Sequence, residues 1–487
     1  MADTHAIHFS TDFPSAPAKV FLVGIGGIGM SGLAQFLKHQ GYEVAGSDRG
    51  LLDSSRQGLF NALRAAGITL YPQDGSGPVE FRPDAFVFTT AIEPGNPDQL
   101  AAPGTPVFHR AFVLSHLCTK CGGRLIGVAG TCGKTSVTGW IGSALNALGR
   151  RIVLVNGGYL PEFESSARPG NFFASSQDAP PEFVVVEIDE SDHSINGFSP
   201  DYGVVLNVGD DHYGTEELIR VFRSFLSRCR SGAAYPSDVP GLAVEEPSGR
   251  VAPYDCSARG YAPMRDGMRF VSSDGIQILS TQSGLHNAWN GEATYRILRL
   301  ALPGESPERI AEAMSRYRGV LQRFELLSAP SSPVAVVNDY AHNPEKIAAS
   351  IQCARERFGS PLGIVFQPHG FGALRFMEEA LAEHLRRSLE PGDLFMMLPV
   401  YYAGGTVTFS PTSEEVAGRF AESGVEAAAV PSRREAAQRL ANGDYKAWLV
   451  LGARDASLRE WTIQLAAASQ PPAAGQGASA REVSGLS

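Results

Sequence analysis

The chain has 487 residues, of which 43% are hydrophobic and 19% charged, so it can form several packed cores and is not a disordered protein. At roughly 150 residues per domain, this length suggests about three domains. Lys and Arg number 41 against 51 Asp and Glu, which gives a net charge of −10. Bulk charge therefore argues against nucleic acid as a partner.

The sequence also lacks the patterns of membrane and secreted proteins. No stretch approaches the roughly 20 apolar residues that a membrane helix requires, and the amino terminus does not resemble a signal peptide. The six cysteines are too scattered to suggest a disulfide framework. Cys118 and Cys121 form a CxxC pair, but no second pair of Cys or His follows at ligand spacing, so packing explains them better than zinc or redox chemistry. We therefore expect a cytoplasmic protein.

The first section begins with an apolar strand at 19–23, a glycine loop and a helix at 30–39. The loop has the pattern Gly24-x-Gly26-x-x-Gly29, which lets backbone N–H groups approach a pyrophosphate at a helix amino terminus. A second strand ends at Asp48, where an acid could bind a ribose. Taken alone, the loop indicates a dinucleotide site such as that of a dehydrogenase, or a turn that only serves packing. Further α/β alternation follows through 84–90 and 105–109.

A second strand, loop and helix begins at 124–129 and continues to Leu148. Its loop, Gly130 to Thr135, resembles a phosphate-binding loop without matching it strictly, because Gly127 lies one position too far from Gly133. Lys134 can still neutralise phosphate oxygens and the Thr135 hydroxyl can bind Mg²⁺. An ATP site explains this loop better than a structural turn does.

Two clusters of acids follow the next predicted strands, 183–188 and 202–208. The first contains four carboxylates within six residues: Glu187, Asp189, Glu190 and Asp192. Such crowding of like charges favours a bound metal ion, although a solvated acidic loop is an alternative. The second cluster ends at His212, which either adds a metal ligand or is an ordinary surface histidine.

The rest of the chain repeats the α/β pattern. Residues 231–262 are rich in Pro, Gly and Ser and are predicted to be loop, and a helix over 287–302 closes the second section. The third section has predicted strands at 334–337, 362–366, 393–398 and 447–451. From residue 466 the composition collapses to small and polar residues, which predicts a disordered tail. Apolar strands without alternation indicate parallel sheets, so the predicted fold class is α/β.

Several motifs in this order resemble the Mur ligase family, over about residues 20–451, and particularly its alanine-adding members. They are Gly24 to Gly32 (GIGGIGMSG), Gly46-Ser47-Asp48, Thr89 to Pro97 (TTAIEPGNP), Gly130 to Thr135 (GTCGKT), Glu187 to Asp192 (EIDESD), Gly284 to Asn290 (GLHNAWN), Gln322 to Glu325 (QRFE) and Asp339 to Pro344 (DYAHNP). A set of ordered motifs is more specific than any single glycine pattern.

The resemblance implies three domains and a tail. These are a Rossmann-like UDP-sugar domain at 1–122, a central P-loop ATPase domain with a parallel sheet at 123–321, a Rossmann-like α/β domain at 322–465, and a tail at 466–487. It also implies a ligase that uses ATP and Mg²⁺ to join the lactyl carboxylate of UDP-N-acetylmuramate to an amino acid, L-alanine above all, in peptidoglycan precursor synthesis. The carboxylate would form an acyl phosphate, which the amine then attacks.

The resemblance further implies a role for individual residues. Those expected at the UDP-sugar are Gly24, Gly26, Gly27, Gly29, Ser31, Ser47, Asp48 and Thr90. Those expected at ATP are Gly130, Thr131, Gly133, Lys134, Thr135, Asn287, Asn290, Arg323 and Asp339. The expected magnesium ligands are Thr135, Glu187 and His212, with Glu190 as an alternative to Glu187. The expected catalytic residues are Lys134, Glu187, His212, Arg323 and His342. His342 would lie near the amine or leaving phosphate, or make only a structural hydrogen bond.

The chain departs from the family at positions that bear on the acceptor. Cys132 stands where alanine-adding members usually have His, and Gly370 and Ala373 stand where they have two arginines. Arg375 is then the expected contact for the incoming amino acid, which leaves alanine, serine and glycine open as acceptors. Weak strand patterns over 231–283 suggest a trimmed central domain.

The alternatives are a Mur-type ligase that adds a preformed peptide in cell-wall recycling, and a catalytically silent nucleotide-binding relative. The intact Lys134 and Thr135 argue against the silent relative. A monomer and a homodimer are both compatible with the sequence.

Overall fold

The computed structural model describes residues 11–90, 92–93, 95–190, 194–209, 214–244, 250–257, 259–329, 331–402, 409–452 and 455–469. The chain separates into two compact units. The first unit comprises residues up to 261 together with 269–281 and 286–320. The second comprises 262–268, 282–285 and the chain from 321 onward.

The first unit begins with a parallel sheet in the order β3-β2-β1-β4-β5. Its strands are β1 (Lys19–Val23), β2 (Glu43–Ser47), β3 (Thr69–Tyr71), β4 (Ala85–Phe88) and β5 (Val107–His109). The helices that alternate with them are α1 (Ile28–His39), α2 (Gln57–Ala65), α3 (Ser76–Phe81), α4 (Pro97–Ala101) and α5 (Arg110–Lys120). All four residues of β4 are buried, as expected for a strand covered on both faces. The predicted parallel α/β section is confirmed.

The same unit contains a larger sheet in the order β12-β11-β10-β6-β9-β7-β8, which is parallel except for β8. Its strands are β6 (Arg124–Ala129), β7 (Ile152–Val155), β8 (Phe172–Ala174), β9 (Phe183–Glu187), β10 (Tyr202–Val205), β11 (Gly232–Pro236) and β12 (Arg250–Tyr254). Its helices are α6 (Lys134–Ala147), α7 (Thr215–Ser227), α8 (Leu285–Ala301) and α9 (Pro307–Ser315). The buried side chains of both sheets join in one hydrophobic core.

The expectation of loop over 231–262 is wrong. Besides β11 and β12, this part of the chain leads into a three-stranded sheet of β13 (Ala262–Met264), β14 (Gly267–Val271) and β15 (Gln277–Ser280). These strands are short and carry Gly, Pro and Ser, so the sequence alone does not give them a clear strand pattern.

The second unit has its own sheet, in the order β16-β17-β21-β18-β19-β20, which is parallel except for β16. Its strands are β16 (Glu325–Leu326), β17 (Ala335–Asp339), β18 (Leu362–Gln367), β19 (Leu394–Met397), β20 (Ala427–Ala429) and β21 (Ala447–Gly452). Its helices are α10 (Pro344–Phe358), α11 (Phe371–Ser388), α12 (Ser413–Glu422), α13 (Arg433–Asn442) and α14 (Ala456–Ala468). Helix α14 includes Ala466, which is 3% exposed, so the predicted start of the tail is too early; residues 470–487 lie outside the described part.

Two other expectations concern single features. Cys118 and Cys121 are buried and not disulfide-bonded, in agreement with a packing role. Among the helices of the described residues, none is both long and apolar enough to cross a membrane.

Candidate functional site

The glycine loop joins the carboxyl end of β1 to α1, and hydrogen bonds to the end of the neighbouring strand β2 hold it in place. The backbone N–H groups of Gly24 and Ile25 both donate to the carbonyl of Ser47, at 2.8 and 2.9 Å. Gly24 has a φ of +75°, a conformation that side chains disfavour. The N–H of Gly26 donates to Oδ2 of Asp48 at 2.8 Å. The loop is therefore fixed, and the carboxylate of Asp48 is part of its support.

Two guanidinium groups that the sequence analysis did not identify flank this loop. Arg56 donates to Oδ1 of Asp48 at 2.9 Å, and a Cβ at Gly26 would lie 2.3 Å from the Arg56 guanidinium. A Cβ at Gly29 would lie 3.0 Å from that of Arg110. Positive charge on both sides of a helix amino terminus favours a bound anion. A cavity of about 210 Å³ opens beside the loop, lined in part by Gly24 and Asp48.

Ser47 has a structural role in this loop. Its side chain is fully buried, and its hydroxyl donates to Oδ2 of Asp98 in the core. Asp98 also accepts the N–H of Gly75 at 2.9 Å. The only proton of the Ser47 hydroxyl is thus donated within the protein, which does not favour its predicted contact with the substrate. Thr90, by contrast, follows β4 and is exposed.

The second loop joins β6 to α6 and leaves the start of that helix open. Gly133 has a φ of +89° and no side chain caps α6 among the described residues. The loop is held by Asn207, which donates to the carbonyl of Cys132 at 2.9 Å and accepts its N–H at 2.8 Å. Thr131 accepts the N–H of Gly209 at 3.0 Å. This backbone can bind phosphate oxygens at a helix amino terminus.

Lys134, the first residue of α6, forms an ion pair across the loop. Its Nζ donates to the carbonyl of Gly130 at 2.7 Å and to both oxygens of Glu190, at 3.0 and 2.8 Å. Glu190 is 4% exposed, and burial raises the pKa of its carboxyl while Lys134 opposes this shift. Glu190 therefore balances the charge of Lys134.

Glu187 differs from Glu190 in having an available oxygen. It ends β9, next to β6 in the sheet, and its Oε2 is buried with no hydrogen-bond partner among the described residues. A Cβ at Gly157 would lie 1.9 Å from Oε1 of Glu187, and a Cβ at Gly158 would lie 2.9 Å from Cγ2 of Thr135. Glu187 and Thr135 thus pack against the same glycine pair.

Glu187 and Thr135 carry donors of a kind that suits magnesium. A carboxylate oxygen without a partner and a hydroxyl are hard oxygen ligands, which Mg²⁺ prefers. His212, the third predicted ligand, lies outside the described residues. Within the described ranges, no group of three His, Cys, Asp or Glu side chains is close enough to hold a metal ion. Of the two candidate acids, Glu187 fits a magnesium ligand better than Glu190.

The two asparagines of α8 lie beside the loop between β6 and α6, which we call the phosphate loop. A Cβ at Gly133 would lie 2.6 Å from Oδ1 of Asn290, and Asn290 donates to Asn287 at 3.0 Å. Both side chains are 8% exposed. The structure thus brings Asn290, Lys134, Thr135 and Glu187 around one loop, although they are widely separated in sequence.

In the second unit, the segment around Arg323 is strained. Gln322 and Phe324 have φ values of 60° and 47°, and only one other non-glycine residue in the described chain, Arg82, has a positive φ. Glu325 holds the segment by accepting the N–H of Gln322 at 3.0 Å and two bonds from Arg459, at 2.8 and 2.6 Å. Strain of this kind is often found at functional sites.

Arg323, Asp339 and His342 lie together in this unit. The guanidinium of Arg323 is 5.1 Å from the ring centroid of Tyr340. Asp339 ends β17, and burial raises its pKa, against the effects of a hydrogen bond from Ser350 and the charge of Arg323. His342 pairs through Nδ1 with the carbonyl of Tyr340 at 2.9 Å, and burial lowers its pKa to about 4. His342 is therefore uncharged at neutral pH.

Arg375 is exposed on α11 and donates to the carbonyl of Ser410 at 2.6 Å. A guanidinium group has five N–H donors and this bond uses one of them, so the group can also contact a carboxylate. Its predicted contact with the acceptor remains a proposal.

Known proteins share the sequence pattern and the fold of this chain. Profiles of the Mur ligase family catalytic domain, the Mur ligase middle domain and the Mur ligase glutamate ligase domain match residues 19–120, 128–234 and 322–454. A UDP-N-acetylmuramate–L-alanine ligase of Gloeobacter violaceus is 32% identical over 415 residues, which are 82% of this chain and 85% of that protein. The chain belongs to the Mur ligase family.

Other members give the same assignment. A UDP-N-acetylmuramate–L-alanine ligase of a Sulfurihydrogenibium species is 28% identical over 470 residues, which cover 92% of this chain and 97% of that protein. The crystal structure of the UDP-N-acetylmuramate–alanine ligase of Thermotoga maritima matches with a TM-score of 0.74 at 23% identity, covering 92% of this chain and 99% of that one. A murein peptide ligase of Psychrobacter arcticus matches with a TM-score of 0.62 at 18% identity, covering 92% and 98%. These structural matches confirm the three-domain Mur ligase fold.

Proposed function

We propose that this Mur ligase family member is an ATP-dependent ligase that joins the lactyl carboxylate of UDP-N-acetylmuramate to the amino group of L-alanine. The observation that carries the proposal is the open loop before α6, with Lys134 at the start of that helix and, on the neighbouring strand β9, an oxygen of Glu187 that has no partner among the described residues. The names of the most similar relatives support the sugar and the amino acid.

The first step activates the sugar carboxylate. One of its oxygens attacks the γ-phosphorus of ATP, the bond from that phosphorus to the β–γ bridging oxygen breaks, and ADP leaves with the electron pair. The product on the sugar is an acyl phosphate. Lys134, at the start of α6, offsets the negative charge that shifts towards the bridging oxygen. This step requires Lys134 to leave Glu190, at least in part, and contact the phosphates.

The second step forms the amide. The uncharged amine of the amino acid attacks the carbonyl carbon, the tetrahedral intermediate collapses, and the bond to the phosphate oxygen breaks. Phosphate leaves with the electron pair, and the amine gives up a proton. The departing phosphate can take this proton. Burial lowers the pKa of His342 to about 4, so its uncharged ring is a weak base that can hold the amine by a hydrogen bond. No covalent bond to the enzyme is needed.

Magnesium and ATP belong to the proposal as cofactor and substrate. Thr135, Glu187 and His212 would hold the ion, which when bound supplies positive charge at the β- and γ-phosphate oxygens. Arg323 would contact the phosphates of ATP, and Asp339 would contact its ribose. Asn287 and Asn290 would contact the adenine.

The first glycine loop would bind the pyrophosphate of the UDP-sugar, with Arg56 and Arg110 as additional positive charges beside it. UDP-sugars and ATP are cytoplasmic metabolites, so the proposal places the enzyme in the cytoplasm, at an early step of peptidoglycan precursor synthesis.

A product assay tests the proposed reaction. The purified protein is incubated with Mg-ATP and UDP-N-acetylmuramate, with L-alanine, L-serine, glycine or a stem tripeptide in separate reactions, and the products are identified by mass spectrometry. We expect an amide with L-alanine and equal amounts of ADP and phosphate. Turnover with the tripeptide alone would indicate a peptide ligase. The absence of turnover with all four acceptors would favour a silent relative.

A further inference from the structure

The glycine-loop helix α1 is fastened to the larger sheet through one buried amide. Asn171, which has no exposed surface, donates from Nδ2 to the carbonyl of Ile28 at 2.7 Å and to the hydroxyl of Ser31 at 2.9 Å. Its Oδ1 accepts a bond from Gln35 at 2.9 Å. A single side chain from the strand region of the larger sheet thus makes three hydrogen bonds to the first turns of α1.

The backbone of Asn171 continues this connection towards the magnesium ligands. Its carbonyl accepts the N–H of Asn156 at 2.9 Å, immediately before the pair Gly157-Gly158. These two glycines pack against the carboxylate of Glu187 and the methyl group of Thr135 respectively, with no room for a Cβ. The side chain of Asn156 bonds the carbonyl of Gly158 at 2.9 Å, which fixes the turn.

The next residue, Tyr159, returns to the glycine loop. Its hydroxyl faces Arg56 and Ser31, which lower the pKa of that hydroxyl against the larger, raising effect of burial. The segment 156–159, which we call the linking segment, therefore contacts the magnesium ligands at its centre and the start of α1 at its end. Asn171 clamps the beginning of this segment to the same helix.

We propose that Asn171 and Tyr159 are positioning residues, which fix α1 against the linking segment and so hold the sugar-nucleotide site at a constant distance from Glu187 and Thr135. This inference rests on the proposed function. In the first step of that function, the sugar carboxylate must reach the γ-phosphorus in line. The UDP-sugar and ATP would be bound by different loops, so the distance between these loops must be fixed.

The energetic reason is the steep dependence of such reactions on alignment. A displacement of about 1 Å can lower the rate of an oriented reaction by roughly 100-fold. The loops bind phosphates through their own backbone N–H groups, so loosening the connection between them leaves each binding site intact. The expected signature is a loss in kcat with little change in KM for the UDP-sugar.

Two variants test this proposal. Asn171→Ala removes all three side-chain bonds to α1, and Tyr159→Phe removes only the hydroxyl, so the second variant remains informative if the first folds poorly. Tyr42→Phe is the matched control, because the Tyr42 hydroxyl is also buried and donates to the carbonyl of Pro14 at 2.9 Å, away from both loops. kcat and KM are measured for amide formation and referred to the folded fraction from circular dichroism.

We expect kcat to fall about tenfold or more in Asn171→Ala, and by a smaller factor in Tyr159→Phe, while KM for the UDP-sugar changes less than about threefold. Three results would overturn the inference: kcat values near that of the wild type, an equal loss in Tyr42→Phe, or a rise in KM alone, which would mean that these side chains bind the sugar directly. A wild-type protein that forms no amide would instead contradict the proposed function.

Discussion

The ammonium group of Lys134 lies 2.8 Å from Oε2 of Glu190, and both side chains are largely buried. The pair gives the two glutamates at and just after the end of β9 different roles, because Glu190 neutralises the lysine while Glu187 has an oxygen without a partner in the described part of the chain. It also keeps the charge of Lys134 balanced before ATP arrives. In the proposed reaction, the phosphates of ATP would compete with Glu190 for the ammonium group.

Glu187→Gln and Glu190→Gln should therefore respond differently to magnesium. We expect Glu187→Gln to raise the Mg²⁺ concentration for half-maximal activity by roughly 100-fold, since a ligand to a catalytic metal contributes several kcal/mol. In Glu190→Gln this concentration should stay near the wild-type value, although the KM for ATP changes. The measurement is phosphate release titrated with Mg²⁺. A larger shift for Glu190→Gln would reverse the assignment of the metal ligand.

Lys134→Met should abolish chemistry without removing the sugar-nucleotide site. We expect kcat for phosphate release to fall by at least about 100-fold, as for other groups that stabilise transition-state charge. Binding of UDP-N-acetylmuramate, measured by calorimetry, should be retained because the glycine loop is separate. Lys120→Met is the control, since Lys120 is exposed and bonds only Ser15 among the described residues. If Lys134→Met kept its turnover, the phosphate loop would not be the ATP site.

His342 should make stability dependent on pH. Burial holds its pKa at about 4 in the folded protein, below the ordinary value of 6.5, so the unfolded chain binds this proton first as pH falls. Its contribution is present above pH 6.5 and is lost between pH 6.5 and about 4. We expect the Tm of His342→Gln to decline less steeply than that of the wild type over this range, in differential scanning fluorimetry. His384→Gln, on the surface of α11, is the control, and parallel wild-type and His342→Gln curves would contradict the assignment.

Arg355 should stabilise the second unit strongly. It donates to Oδ2 of Asp393 at 2.6 Å, and the Asp393 side chain is fully buried. Arg355→Met would leave that carboxylate without its partner charge, which costs about 3–5 kcal/mol. Arg387→Met, in an exposed ion pair with Glu383, should cost less than about 1 kcal/mol. The free energies of unfolding come from urea denaturation, and equal losses in the two variants would show that burial of Asp393 does not matter.

The sequence predicts the parts of this fold that have local patterns. Both glycine loops follow apolar strands, and their glycines at positions 24, 130 and 133 have the positive φ values that such loops require. The short strands β11 to β15 were missed because their Gly, Pro and Ser content is also typical of loops. Their pairing comes from neighbouring strands that are distant in sequence.

The contacts within the site were less accessible from the sequence. The pairing of Lys134 with Glu190 depends on β6 and β9 lying side by side, although the partners are 56 positions apart in the sequence. Asn171 is a single amide in a segment without a motif, and its bond to Ser31 spans 140 residues. A pattern search cannot detect such contacts. The positive φ values of Gln322 and Phe324 likewise follow from the tertiary structure, since neither residue favours them.

If the sugar carboxylate attacks ATP before the amide forms, one of its oxygens must pass to the released phosphate, and isotope labelling detects this transfer. UDP-N-acetylmuramate carrying ¹⁸O in both carboxylate oxygens is incubated with the enzyme, Mg-ATP and L-alanine, and the phosphate and the amide are analysed by mass spectrometry. We expect one ¹⁸O in each phosphate released and one in each amide product. Unlabelled phosphate, released while the alanine amide accumulates, would contradict it.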